Sequence, residues 1–106
     1  MMDYGYVYLI GEEGNEGRYK IGSTRARDVN TRLKHLQTGN PNQLFIKNSY
    51  GTSNPFKMET MLHQHFKHKN VINEWFELSD EEVGEFNKTC SKFQDIIDAL
   101  KDNPFF

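Results

Sequence analysis

A chain of 106 residues can bury one hydrophobic core but not two, so a single domain over residues 1–106 is expected. With 26% charged and 13% aromatic residues it reads as soluble, and no apolar run approaches the roughly 20 residues of a spanning helix, so no membrane partner is expected. Asp3, Tyr4 and Gly5 interrupt any leader pattern, and the lone Cys90 excludes an internal disulfide, which together fit a reducing cytoplasm.

Residues 6–10 alternate as a strand, with Tyr6 and Tyr8 on one side and Val7 and Leu9 on the other. Residues 11–18 are polar and Gly-rich, too long for a tight hairpin, and read as a mobile connection. Tyr19–Ser23 forms the second strand. If Val7, Leu9 and Ile21 share the core face, Tyr8 and Lys20 emerge together on the other. Asp28 is a good N-cap for a first helix over about residues 29–38, whose Val29, Leu33 and Leu36 recur at i, i+4 and i+7. Gly39 supplies its C-cap and Pro41 follows.

Residues 44–50 are a third strand. Ser53-Asn54-Pro55 opens a second helix with the apolar stripe Met58, Met61, Leu62, His65 and Phe66. Residues 74–78 are a short extended piece. Ser79 with Glu82 three residues later is a capping box for a C-terminal helix over about residues 80–102. Its stripe, Val83, Phe86, Cys90, Phe93, Ile97 and Leu100, is expected to pack on the chain's own core. Phe105-Phe106 reads as a tail on that core or a hook for a partner. The order predicts an α/β chain of α+β type, with a small, mainly antiparallel, three-stranded sheet flanked by helices.

The net charge of −2 hides an uneven distribution. Between Arg18 and His35 six basic side chains stand against Asp28 alone, a balance of +5. From Glu74 to Asp102 nine acids stand against three lysines, a balance of −6. A basic front and an acidic back would orient the molecule on a phosphate backbone, with contacts that weaken as salt rises; a merely solvated helix face is the plainer reading.

Tyr6-Val7-Tyr8, then Lys20-Ile21-Gly22, then Arg32-Leu33 and Leu36-Gln37-Thr38-Gly39-Asn40-Pro41 form a series that resembles the core of the GIY-YIG nuclease superfamily. Glu59, Leu62 and His63 followed by Glu74-Trp75-Phe76 look like the second half of a phage-borne branch often described as DNA-binding. The resemblance covers about residues 5–78. It implies metal-assisted cleavage of DNA phosphodiesters, with Mg²⁺ or Mn²⁺ as cofactor.

Residue by residue, the resemblance implies that Tyr8 positions or deprotonates the attacking water. Lys20 replaces the second motif tyrosine and would favour the Tyr8 phenolate or touch phosphate. Arg32 matches the family's arginine, and its fork suits a non-bridging oxygen. Glu59, the one acid between Asp28 and Glu74, would hold the metal with waters and substrate oxygens. Arg18, Arg25, Arg27, Lys34 and His35 are the candidate DNA contacts, His35 standing one residue before the place of the family's helical histidine. Tyr6 beside Tyr8, His63 one turn after Glu59, and Asn73 complete the set. Asn73 replaces a glycine usual in that branch, and it could stand in for the family's late asparagine.

Two function classes follow. One is a metal-dependent DNA endonuclease. The other is a catalytically inactive DNA-binding module of the same fold.

Overall fold

The structure is a computed structural model that describes residues 4–101 and 103. Strand β1 (Gly5–Glu12) pairs with β2 (Arg18–Thr24) on one side and with β3 (Leu44–Thr52) on the other. Helix α1 (Val29–Gln37) joins β2 to β3, and α2 (Pro55–His65) follows β3. A 3₁₀ turn (Lys67–Lys69) leads into the hairpin of β4 (Asn70–Ile72) and β5 (Trp75–Glu77). Helices α3 (Asp80–Gly84) and α4 (Phe86–Leu100) follow.

The sheet has five strands in the order β3-β1-β2-β5-β4, and every neighbouring pair is antiparallel. The α+β class therefore stands, but the expected three strands are corrected to five. The extended piece at residues 74–78 contains β5, which pairs Arg18–Lys20 of β2 with Glu77–Trp75, and β4 then adds to β5. β4 escaped the sequence reading because it has three residues, all exposed, and so carries no alternation.

Strand β1 lies inside the sheet and is covered on both faces. Val7, Leu9 and Ile21 pack with Met58, Leu62, Phe66, Phe76, Phe86, Cys90 and Ile97 under α2 and α4. Tyr8 and Ile10 point the other way, packing with Val29 and Leu44 and against Leu33 and Leu36 of α1. The predicted division of β1 and β2 by parity holds, since Tyr8 pairs with Gly22 and Ile10 with Lys20. The run Tyr6–Ile10 is apolar at both parities because both faces are dry.

Helix ends follow their local signals. Asp28 accepts from the Thr31 N–H at 2.9 Å, and Gly39, at φ 80°, turns the chain out of α1. The capping box of Ser79 and Glu82 is formed. The expected single helix over 80–102 is corrected to two. The backbone breaks at Glu85 (φ −98°, ψ 8°), just after Gly84, where helix propensity is lowest, and Val83 and Phe86 on either side of the break are both buried. Phe105-Phe106 lies outside the described residues. Among the described residues no helix is long and apolar enough to cross a membrane.

Candidate active site

The site forms where β2 outruns its neighbour. β5 pairs with β2 only from Arg18 to Lys20, so among the described residues no strand lies beside that edge of β2 from Ile21 onward. Two groups occupy that edge. The Ile21 N–H donates to the Glu74 carbonyl at 3.0 Å, and the Ile21 carbonyl accepts from His63 Nε2 at 2.8 Å. A carbonyl oxygen can only accept, so His63 Nε2 carries its hydrogen.

Glu59 stands one turn before His63 on α2, with its Oε2 3.6 Å from His63 Nε2. Ser23, on the same side of β2 as Ile21, donates its hydroxyl to Glu59 Oε1. Glu59, His63 and Glu74 each bring a ligand atom within 4.8 Å of the others, all three half-buried. The Glu74 carboxylate also meets Lys20 Nζ at 3.8 Å.

Across β2, Tyr8 lies with its ring over Gly22. A Cβ on Gly22 would stand 2.5 Å from the Tyr8 hydroxyl and 2.7 Å from Cζ, so the motif glycine is the residue that lets the ring lie flat on the sheet. Arg32 of α1 donates its Nε–H to the Tyr8 hydroxyl oxygen at 3.3 Å. Burial pushes the Tyr8 phenol above its ordinary value; the Arg32 hydrogen bond and charge pull it back, and the Glu74 and Glu59 charges push it up again. The Tyr8 bond in turn raises Arg32.

Tyr8 is 1% exposed. The cation on its hydroxyl is Arg32, whereas Lys20 is drawn toward Glu74 and stands 6.0 Å from the Trp75 ring centroid. The expectation of a phenol depressed by Lys20 is thereby corrected. Parity put Tyr8 and Lys20 on one face, as predicted, but it could not show which long side chain reached the hydroxyl.

Glu74 thus links two groups: its carboxylate lies within 4.8 Å of ligand atoms of Glu59 and His63, and 3.8 Å from Lys20 on the face that carries Tyr8 and Arg32. Sequence reasoning noticed Glu74 only as part of a motif. Glu74 directly follows the turn residue Asn73, at φ 51°, a placement that periodicity does not report.

The other candidates lie apart. Asn73 is that turn residue, its carbonyl accepting from the Asn70 amide at 2.8 Å; a left-handed φ is what a glycine would also satisfy. Tyr6 packs against the cluster under α1 and meets Tyr4 edge-on, with centroids 5.9 Å apart. Arg18 Nε lies 3.8 Å from Glu77, and Arg25 stacks 4.7 Å above the Phe56 ring. Arg27, Lys34 and His35 are exposed. Lys34, two residues on from Arg32, falls on the opposite side of α1.

A family model described as the T5orf172 domain matches residues 5–91. The chain belongs to the T5orf172 domain family. The matched span runs from the first residue of β1 into α4 and contains every side chain of the candidate site just described. No curated protein and no solved structure was found to match the chain.

Proposed function

We propose that this chain is a metal-dependent endonuclease of GIY-YIG type, hydrolysing DNA phosphodiester bonds. The observation that carries the reading is Glu74, which gathers with Glu59 and His63 beside β2 and also meets Lys20 on the face of the Tyr8–Arg32 pair. Membership of the T5orf172 family supports the same broad class, a phage-type nuclease or DNA-binding module.

Hydrolysis forms a bond from a water oxygen to phosphorus and breaks the bond from phosphorus to one bridging oxygen. It needs a proton acceptor for the water and positive charge for the growing negative charge. The Tyr8 hydroxyl orients the water and takes its proton once the phenol is ionised. Arg32 uses Nε on Tyr8, which leaves the terminal amino groups as the ones suited to a non-bridging oxygen. Lys20 places a second cation on the same face for a flanking phosphate.

The donor set fits a hard divalent cation. Glu59 and Glu74 would hold Mg²⁺ or Mn²⁺ through carboxylate oxygens, and water and phosphate would complete the shell. His63 is a positioning residue, because its Nε2 hydrogen is already given to Ile21. When bound, the cation supplies charge to the phosphate and leaving oxygens.

The catalytically inactive DNA-binding module is the second reading, and the burial of Tyr8, which disfavours its phenolate, is the observation in its favour. The two separate on supercoiled plasmid incubated with Mg²⁺ or Mn²⁺ against an EDTA control. The endonuclease nicks or linearises it, and Glu59→Ala lowers that rate at least roughly 100-fold with the fold intact. A variant that cuts like the parent removes Glu59 from the metal. A parent that cuts with neither ion leaves the binding module as the function.

A further inference from the structure

On the Tyr8 face of the sheet, α1 covers β3 and β1, while Arg18, Lys20, Trp75, Glu77 and Ile72 lie in register on β2, β5 and β4. Beyond Trp75 this surface dips into a cavity of about 230 Å³. Its walls differ in chemistry. Trp75, Val71 and Ile72 give an apolar side, and Glu12, Asn15, Arg18 and Asn40 give a polar one.

Several features are unusual for idle surface. Ile72 is 61% exposed and Val71 41% exposed, although both belong to a strand. Trp75 is half-buried against the cluster under α1 and still lines the cavity. Lys20, on the candidate active site, stands 6.0 Å from the same indole ring, so the cavity lies next to the site. The polar side offers amide donors and acceptors, and the Asn15 amide is held by the Glu12 carboxylate.

We propose that this cavity takes a nucleobase unstacked from the DNA, so that the preferred substrate carries an unpaired nucleotide beside the cut. The proposal rests on the DNA-binding reading of the site above. A flat aromatic and apolar wall suits the face of a base, which every base presents. Amide and carboxylate groups suit its edge, whose donors and acceptors are free once pairing is lost. Arg18 and Lys20 suit the phosphates on either side of it. A paired base cannot enter, because its edge is occupied and its faces are stacked.

Trp75 is the single tryptophan of the chain, so its fluorescence reads occupation directly. The full chain in EDTA is titrated with three oligonucleotide ligands: a fully paired duplex, the same duplex with a one-nucleotide bulge carrying 2-aminopurine, and that duplex with an abasic bulge. The 2-aminopurine bulge is expected to bind roughly tenfold more tightly than the other two and to quench Trp75, within the range that stacking supplies. Trp75→Leu, and Ile72→Glu at its exposed position, should each bring the three affinities together. Equal binding of the abasic and base-bearing bulges, or an unquenched Trp75, overturns the proposal and leaves DNA binding standing. Failure to bind any of the three overturns the DNA reading and the cavity's role with it.

Discussion

Tyr8 takes its environment from both of its neighbours at once. The core around it disfavours the phenolate, and the Arg32 hydrogen bond favours it. With the phenol raised on balance, a reaction that uses Tyr8 as base must gain speed with pH well beyond neutrality. Single-turnover cleavage measured between about pH 7 and 9.5 should therefore climb without a plateau, and Tyr8→Phe should flatten the profile. Arg32→Ala should cost about as much as Tyr8→Phe, with the double variant little worse than either, because the two side chains act as one unit. A plateau near pH 7 would assign water activation to another group. Motif residues made Tyr8, Arg32 and Glu59 legible in the sequence, since each falls on a strand or helix whose phase is readable. Glu74 was not legible as a ligand, because its orientation depends on the backbone of Asn73, and no periodicity reports that.

Among the elements, the C-terminal helices show where a local signal suffices and where it does not. Ser79 and Glu82 announced a helix start, and the start is there. The break at Glu85 was hidden because Val83, Phe86 and Cys90 keep helical spacing across it. The cap makes a testable contribution. The Ser79 N–H holds the Glu82 carboxyl below its ordinary value, with Lys69 adding to the effect. A lowered carboxyl contributes stability that is present above its ordinary range and is lost as pH falls through its folded value. Glu82→Gln, which keeps an acceptor for the Ser79 N–H but loses the charge, should cost about 0.5 kcal/mol in denaturant unfolding at neutral pH. The difference from the parent should shrink as pH falls through that lowered value, where the parent's own carboxylate is protonated. An equal difference at both pH values would mean the loss is one of packing.

At the scale of the whole molecule, charge is segregated along the chain. Basic residues gather in β2 and α1, and acids in the last two helices. The fold puts the basic segment beside the open half of the sheet, so salt should act on binding far more than on folding. Arg27→Ala should lower the slope of log affinity against log salt by about 0.9, the amount expected for one phosphate contact. Lys34→Ala should change it less, since Lys34 falls on the far side of α1 from Arg32. Titrations at three salt concentrations read both slopes, and identical slopes for parent and Arg27→Ala would remove that arginine from the interface. The fold class was legible because alternation and capping survive in a single sequence. The strand count was not, because β4 exists only as the partner of β5.

The hydrogen bond from His63 to the Ile21 carbonyl bears on how safely the protein can be handled. A strand with an open edge is a template for another chain, and natural sheets block such edges. Here the block is a side chain of the candidate site, not a dedicated charge or proline. His63→Ala would bare the Ile21 carbonyl and leave a short length of β2 free to pair with a second molecule. Static light scattering at rising protein concentration should show that variant self-associating where the parent stays dispersed, and His63→Gln, which can still donate to the carbonyl, should restore dispersion. If both variants stay dispersed, Ile21 is shielded by something other than the imidazole. Otherwise a solubility screen on site variants would discard the very residue that guards the edge.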